Sequence, residues 1–255
     1  MMVAAARHGY IRQTLITSPD NPRVKEVLRL RKSRERRRSG LFIAEGPREV
    51  ERARAAGLTV HATYFAPELV AWDEGEEVSA RVLARMAYRA EPQGVLAVVE
   101  IPQREVPPDA TLILVAVGIE KPGNLGAMAR TADAAGADAL LVGDANADPW
   151  NPNAIRASTG AVFTLPIAEV TLDDVRALPL QKIAAVVGAQ NRYTDADLTA
   201  PTAFIVGSED EGLGDAWRGA ADVQVAIPMS PRTADSLNAA TSAGVLLFEA
   251  VRQRG

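Results

Sequence analysis

The sequence predicts an α/β protein of two units. A smaller α/β domain covers residues 1–103, and a larger one, built on a mostly parallel sheet, covers 104–255. Three observations carry this. Helical and strand patterns alternate along the chain. The strand candidates of the second half are short and almost wholly apolar, as parallel strands buried on both faces are. Between the halves, residues 101–110 hold Pro102, Pro107 and Pro108, a stretch that resists helix and central strand.

Each element has a local reason. A basic helix at about 21–38 is opened by Asp20-Asn21-Pro22 and carries the apolar stripe Val24, Val27, Leu28 and Leu30. A strand at 41–44, a helix at about 46–57, a strand at about 59–66, a helix at about 79–88 and a strand at 94–99 complete the first unit. Beyond the prolines, apolar runs place strands at 112–117, 139–142, 162–165, 183–187, 204–206 and 223–227. One long helix, about 235–253, closes the pattern.

Composition narrows the function. The chain is 47% hydrophobic and 24% charged, which is ordinary for a globular protein and excludes a wholly disordered one. No apolar run approaches about 18 uncharged residues, and the first residues lack the apolar core of a secretion signal. A cytoplasmic protein away from membranes is expected. There is no cysteine, which excludes disulfides, cysteine-ligated metals and a thiol nucleophile. His8 and His61 stand far apart, so no metal site is expected.

The net charge of −4 hides an asymmetry. Residues 1–60 hold 14 Lys and Arg against 6 Asp and Glu, whereas 61–255 hold 14 against 26. Such a split points to a polyanion partner. From Arg23 to Arg38 there are nine cations and only two anions, Glu26 and Glu35. Arg23, Lys25, Arg31, Lys32, Arg36 and Arg37 are the candidate contacts to RNA phosphates. No aromatic residue interleaves them, so base stacking is not implied there.

Three segments are candidates for chemistry. Gly118 to Arg130 is a strand-to-helix transition with three glycines and Asn124. It is neither a dinucleotide fingerprint nor a Walker loop. Gly207-Ser208-Glu209-Asp210-Glu211-Gly212-Leu213 follows a buried strand and clusters three carboxylates, readable as metal ligands or as charges at a helix N-terminus. Ile227-Pro228-Met229 ends a strand, and Ser236-Leu237-Asn238 opens the final helix. Taken singly, each reads as a turn or a cap.

Together, in this order, they resemble the three motifs of the SpoU/TrmH family of RNA ribose 2′-O-methyltransferases, in the SPOUT superfamily. Asn124, Gly126 and Arg130 match the first motif. Gly207, Ser208, Glu209, Gly212 and Leu213 match the second, and Ile227, Pro228, Met229, Ser236, Leu237 and Asn238 the third. Asn21 to Lys25, Ala44 to Arg48 and Pro92 to Val95 are similar to landmarks of the substrate-binding domain in rRNA-directed members. One departure is Pro231, where the family usually has glycine, in a link of Ser230 to Asp235 that is slightly longer than usual.

The resemblance implies a C-terminal SPOUT domain with a deep trefoil knot and a ribosomal-protein L30e-like N-terminal domain. It implies S-adenosylmethionine as cofactor, with Gly207, Ile227, Met229, Leu237, Gly188 and Ala189 lining its pocket. The implied reaction is methyl transfer to a ribose 2′-hydroxyl of ribosomal RNA, in 23S rRNA. Arg130 would act at the hydroxyl, and Asn124, Glu209, Ser236 and Asn238 would position it and the ribose. A homodimer through the first-motif region and the last helix is implied as well; there Ala239, Ala240, Ala243 and Gly244 give a small-residue face. The alternatives are a tRNA ribose methyltransferase and a non-catalytic RNA-binding or ribosome-assembly protein.

Overall fold

The computed structural model describes residues 15–230 and 233–255. Pro231, on which the departure from the family loop turns, lies outside them. The chain begins with helices α1 (Pro22–Arg29) and α2 (Ser33–Ser39) and strand β1 (Leu41–Glu45). Helix α3 (Pro47–Ala55), strands β2 (Val60–Phe65) and β3 (Glu76–Glu77), helix α4 (Ala80–Met86) and strand β4 (Val95–Glu100) follow. These strands form a four-stranded sheet in the order β1-β4-β2-β3, with β4 antiparallel to both β1 and β2.

The second unit contains β5 (Leu112–Val117), α5 (Pro122–Ala134), β6 (Ala139–Gly143), α6 (Pro152–Ser158), β7 (Ile167–Val170) and α7 (Leu172–Arg176). It continues with β8 (Gln181–Ala185), β9 (Asn191–Arg192), β10 (Thr202–Val206), α8 (Asp215–Arg218), β11 (Val223–Ala226) and α9 (Ala239–Arg254). Its seven-stranded sheet runs β7-β6-β5-β10-β8-β11-β9 and every pairing is parallel. The fold is thus α/β with a parallel sheet, as the apolar runs predict. β5, β6 and β10 are buried along their whole length.

Three elements differ from the sequence reading. The basic helix is two helices, broken at Leu30–Lys32. Leu30 is buried with Val24 and Val27, while the Arg36 guanidinium folds back and donates to the carbonyls of Leu30 (2.7 Å) and Arg31 (2.9 Å). An arginine thereby satisfies carbonyls that a continuous helix would have used itself. Residues 162–165 are not a strand. Ala161–Phe163 forms a buried 3₁₀ turn, and the edge strand is β7. A short apolar run does not distinguish the two, and here Phe163 turns inward to pack on Phe42. The final helix begins at Ala239, because Asn238 caps it by accepting from the N–H groups of Ala240 and Thr241.

The two units share one apolar core. The Phe42 ring lies 5.1 Å from that of Trp150 and 5.6 Å from that of Phe163, so β1 of the first unit packs on loops of the second. Around this contact, Arg36 Nε and Nη2 donate to Asp148 Oδ2 at 2.8 and 2.6 Å, Ser33 Oγ donates to the same oxygen at 2.9 Å, and Arg37 pairs with Glu169. Arg52 donates to the Thr159 carbonyl, and Arg104 Nε to that of Phe163. The small domain is therefore fixed against the large one by both apolar and charged contacts.

Candidate active site

In a parallel sheet, ligands bind beyond the carboxyl ends of the strands, where strand order reverses. Here a cavity of about 310 Å³ opens beyond β8, β10 and β11. Its wall is built from Ala185–Val187 after β8, Gly207–Leu213 after β10, Ile227 and Met229 after β11, and Asp235–Leu237 before α9. Gly207 is required by a close approach: a Cβ there would stand 2.2 Å from the Gly212 carbonyl oxygen. The loop can close on itself, with Gly212 N–H donating to Ser208 O at 3.0 Å, only because that side chain is missing.

Glu209 joins the three motifs. Its Oε1 accepts from Asn124 Nδ2, from Asn238 Nδ2 at 2.7 Å and from the Ala239 N–H at 3.3 Å. Its main-chain carbonyl accepts from Ser236 Oγ at 3.4 Å. The carboxylate therefore sits at the N-terminus of α9 and helps to cap it. It does so from a distant loop rather than from its own helix. Asp210 and Glu211 face solvent, and among the described residues no group of three His, Cys, Asp or Glu side chains is placed to hold a metal.

The structure thus brings together four of the five residues to which the resemblance gives catalytic roles: Asn124, Glu209, Ser236 and Asn238. Arg130 stands apart. It is exposed on α5 and is not in the cavity wall. Six residues beyond Asn124, it lies about 9 Å further along the helix and on another face. Of the cofactor candidates, Gly207, Ile227, Met229 and Leu237 line the cavity, whereas Gly188 and Ala189 follow its Val187 rim without entering the wall. Sequence reading missed Arg218 at the end of α8, which does line it. No motif spacing marks that arginine. Trp217 beside it, buried and donating from Nε1 to Asp144 Oδ2 at 2.6 Å, anchors the helix.

The basic segment is corrected in detail. Arg36 is only 2% exposed and is consumed by Asp148 and two carbonyls, so it is a structural residue and not a phosphate contact. Arg31 donates to the carbonyls of Arg85 and Ala87 and is half-buried. Arg23, Lys25 and Arg37 are exposed but paired with Glu76, Asp20 and Glu169. Lys32 is exposed without an ion-pair partner among the described residues, and so are Arg29 and Arg34.

The fold and the cavity define a class, an α/β protein with a small-molecule site at the strand ends and a basic domain fixed beside it. The family follows from comparison with known proteins. Residues 111–248 match the SpoU rRNA Methylase family, and residues 21–97 match the MRM3-like substrate binding domain. The chain belongs to the SpoU rRNA methylase family.

Among its relatives, an uncharacterised tRNA/rRNA methyltransferase of Synechocystis is 34% identical over 94% of each chain. The 23S rRNA (uridine(2479)-2′-O)-methyltransferase of Streptomyces viridochromogenes is 33% identical, over 86% of this chain and 85% of its own. Among solved structures, the SpoU methyltransferase AviRb of Streptomyces viridochromogenes, in complex with the cofactor AdoMet, superimposes with a TM-score of 0.83 at 31% identity, covering 92% of this chain and 98% of its own. An RNA 2′-O ribose methyltransferase gives a TM-score of 0.81 at 42% identity, over 94% of this chain and 98% of its own. No helix among the described residues is long and apolar enough to cross a membrane.

Proposed function

We propose that this protein methylates a ribose 2′-hydroxyl of ribosomal RNA, in the 23S molecule, with S-adenosylmethionine as donor. The observation that carries the reading is the convergence of Asn124, Glu209, Ser236 and Asn238 at the rim of a cavity built from the other motif residues. The cavity fits the cofactor. Its volume of about 310 Å³ is within the range of small-molecule sites. Val186, Val187, Leu213, Ile227 and Leu237 offer apolar walls, while Glu209, Asp210, Glu211 and Asp235 offer negative charge. When bound, S-adenosylmethionine supplies a methyl group activated by a cationic sulfur.

The chain's own residues must orient a weak nucleophile. The Glu209 carboxylate holds the amides of Asn124 and Asn238 in fixed rotamers at the rim, and Lys32, Arg29 and Arg34 offer free cations to the RNA backbone. Arg130 enters from a second copy of the chain in a homodimer formed through α5 and α9. The support is that Arg130 is exposed outside its own cavity, and that Phe248 and Val251 on α9 are 49% and 38% exposed. Its planar fork suits a hydroxyl and a phosphate held together. The same reading assigns the trefoil knot to the chain after β10, whose loops wall the cavity. It also places the protein in the cytoplasm with its ribosomal substrate.

Mapping 2′-O-methylation across rRNA from cells with and without the protein tests the reaction; an unchanged 23S map refutes it, and a change confined to tRNA moves the substrate. Mixing the inactive variants Arg130→Ala and Glu209→Ala tests the dimer. Restored activity means that sites form across copies, and no restoration refutes a shared site.

A further inference from the structure

Arg218 ends α8 and lines the cavity. The backbone that carries the side chain is fixed: the main-chain N–H of Arg218 donates to Gly214 O at 3.0 Å, and the neighbouring Trp217 is buried and bonded to Asp144. Yet the buried Nε has no hydrogen-bond acceptor, and the guanidinium forms no ion pair among the described residues. A guanidinium cannot shed its charge by losing its proton. Four carboxylates line the same cavity, Glu209, Asp210, Glu211 and Asp235, and none of them reaches Arg218. The guanidinium charge is left without a carboxylate partner among the described residues and is open to an acceptor brought into the cavity.

Charge identifies that acceptor. Among the described residues the cavity wall carries one cation and four anions. S-adenosylmethionine carries the reverse: a sulfonium, an ammonium and a single carboxylate. On the cofactor reading above, we propose that Arg218 is the subsite for the carboxylate of the cofactor's amino-acid arm. The acidic residues of the wall offer the charge opposite to its two positive centres. Arg218 then sets the direction of the arm, and with it the direction of the methyl group relative to the Asn124–Glu209–Asn238 rim.

The test is calorimetric titration of the full chain with S-adenosylmethionine and with decarboxylated S-adenosylmethionine, which differs only in lacking the carboxylate. Native protein, Arg218→Met and Arg218→Lys are compared, with thermal melts on each. A charge-assisted bidentate contact implies a native preference for the intact cofactor of roughly ten- to a hundredfold. Arg218→Met should abolish that preference by weakening the intact cofactor alone, and Arg218→Lys should retain part of it. Equal weakening of both ligands, or no preference in the native protein, overturns the subsite. If Arg218→Met does not fold, the native preference and Arg218→Lys decide. Failure of the native chain to bind either ligand overturns the cofactor reading itself.

Discussion

Replacing Arg36 by Met should destabilise the fold far more than it weakens RNA binding. The side chain is 2% exposed and makes four hydrogen bonds, two to Asp148 Oδ2 and one each to the carbonyls of Leu30 and Arg31. Methionine fills the volume but leaves two carbonyls unpaired, each worth roughly 1–3 kcal/mol when buried. Asp148 keeps only Ser33 Oγ and the Trp150 N–H, at 2.9 and 2.8 Å. Breaking a buried pair from one side typically costs about 3–5 kcal/mol. For a chain of this size that is a loss of roughly 6–20 °C in Tm. Calorimetric or circular-dichroism melts read it directly. Arg36→Met combined with Asp148→Leu should regain much of the loss, since an apolar pair avoids the stranded charge. A Tm within about 2 °C of native, together with a shallower salt dependence of RNA affinity, would refute the argument and return Arg36 to the phosphate-binding surface.

Three further outcomes are expected. Gly207→Ala drives a Cβ to 2.2 Å from the Gly212 oxygen and 2.3 Å from its carbonyl carbon, so cofactor affinity should fall at least tenfold by titration while β10 and the rest of the sheet persist by circular dichroism; unaltered affinity would mean that the loop is free to open. Replacing Lys32, Arg29 and Arg34 with Gln should reduce the slope of log K against log salt by roughly 2–3, while Arg23→Gln, already paired with Glu76, should change it less; equal effects would show that the pairing is immaterial. The Glu249 carboxyl is held down at about 2 by hydrogen bonds from Arg252 and Gln253. A lowered folded value means that its contribution to stability is present above its ordinary value of 4.5 and is lost as pH falls through about 2. Glu249→Gln should flatten the acid limb of a Tm-against-pH curve in that window, and an unchanged limb would show that the carboxyl plays no part.

The parallel sheet was legible because its central strands are continuous apolar runs; β5 falls at 112–117 on sequence and structure alike. The break between α1 and α2 was not legible. It depends on Arg36 reaching back to carbonyls five and six residues away, and the same composition of cations suits a single helix. The error at 162–165 has a related cause, since Phe163 answers to Phe42, far away in sequence. At the site, motif order gave Asn124, Glu209, Ser236 and Asn238. It gave neither Arg218, whose neighbours carry no spacing signal, nor the exposure of Arg130, which depends on helix phase relative to the cavity.

One carboxylate oxygen collecting donors 85 residues before it and 29 residues after it also bears on how the site comes into being. No local stretch of chain can preassemble such a centre. Both loops must close, and loop closure is the slow, entropically costly part of folding. The rim is thus assembled when α5, the β10 loop and α9 have all docked, and not before. Complete folding is therefore a condition for the rim: a chain in which α5, the β10 loop or α9 is undocked lacks the carboxylate centre.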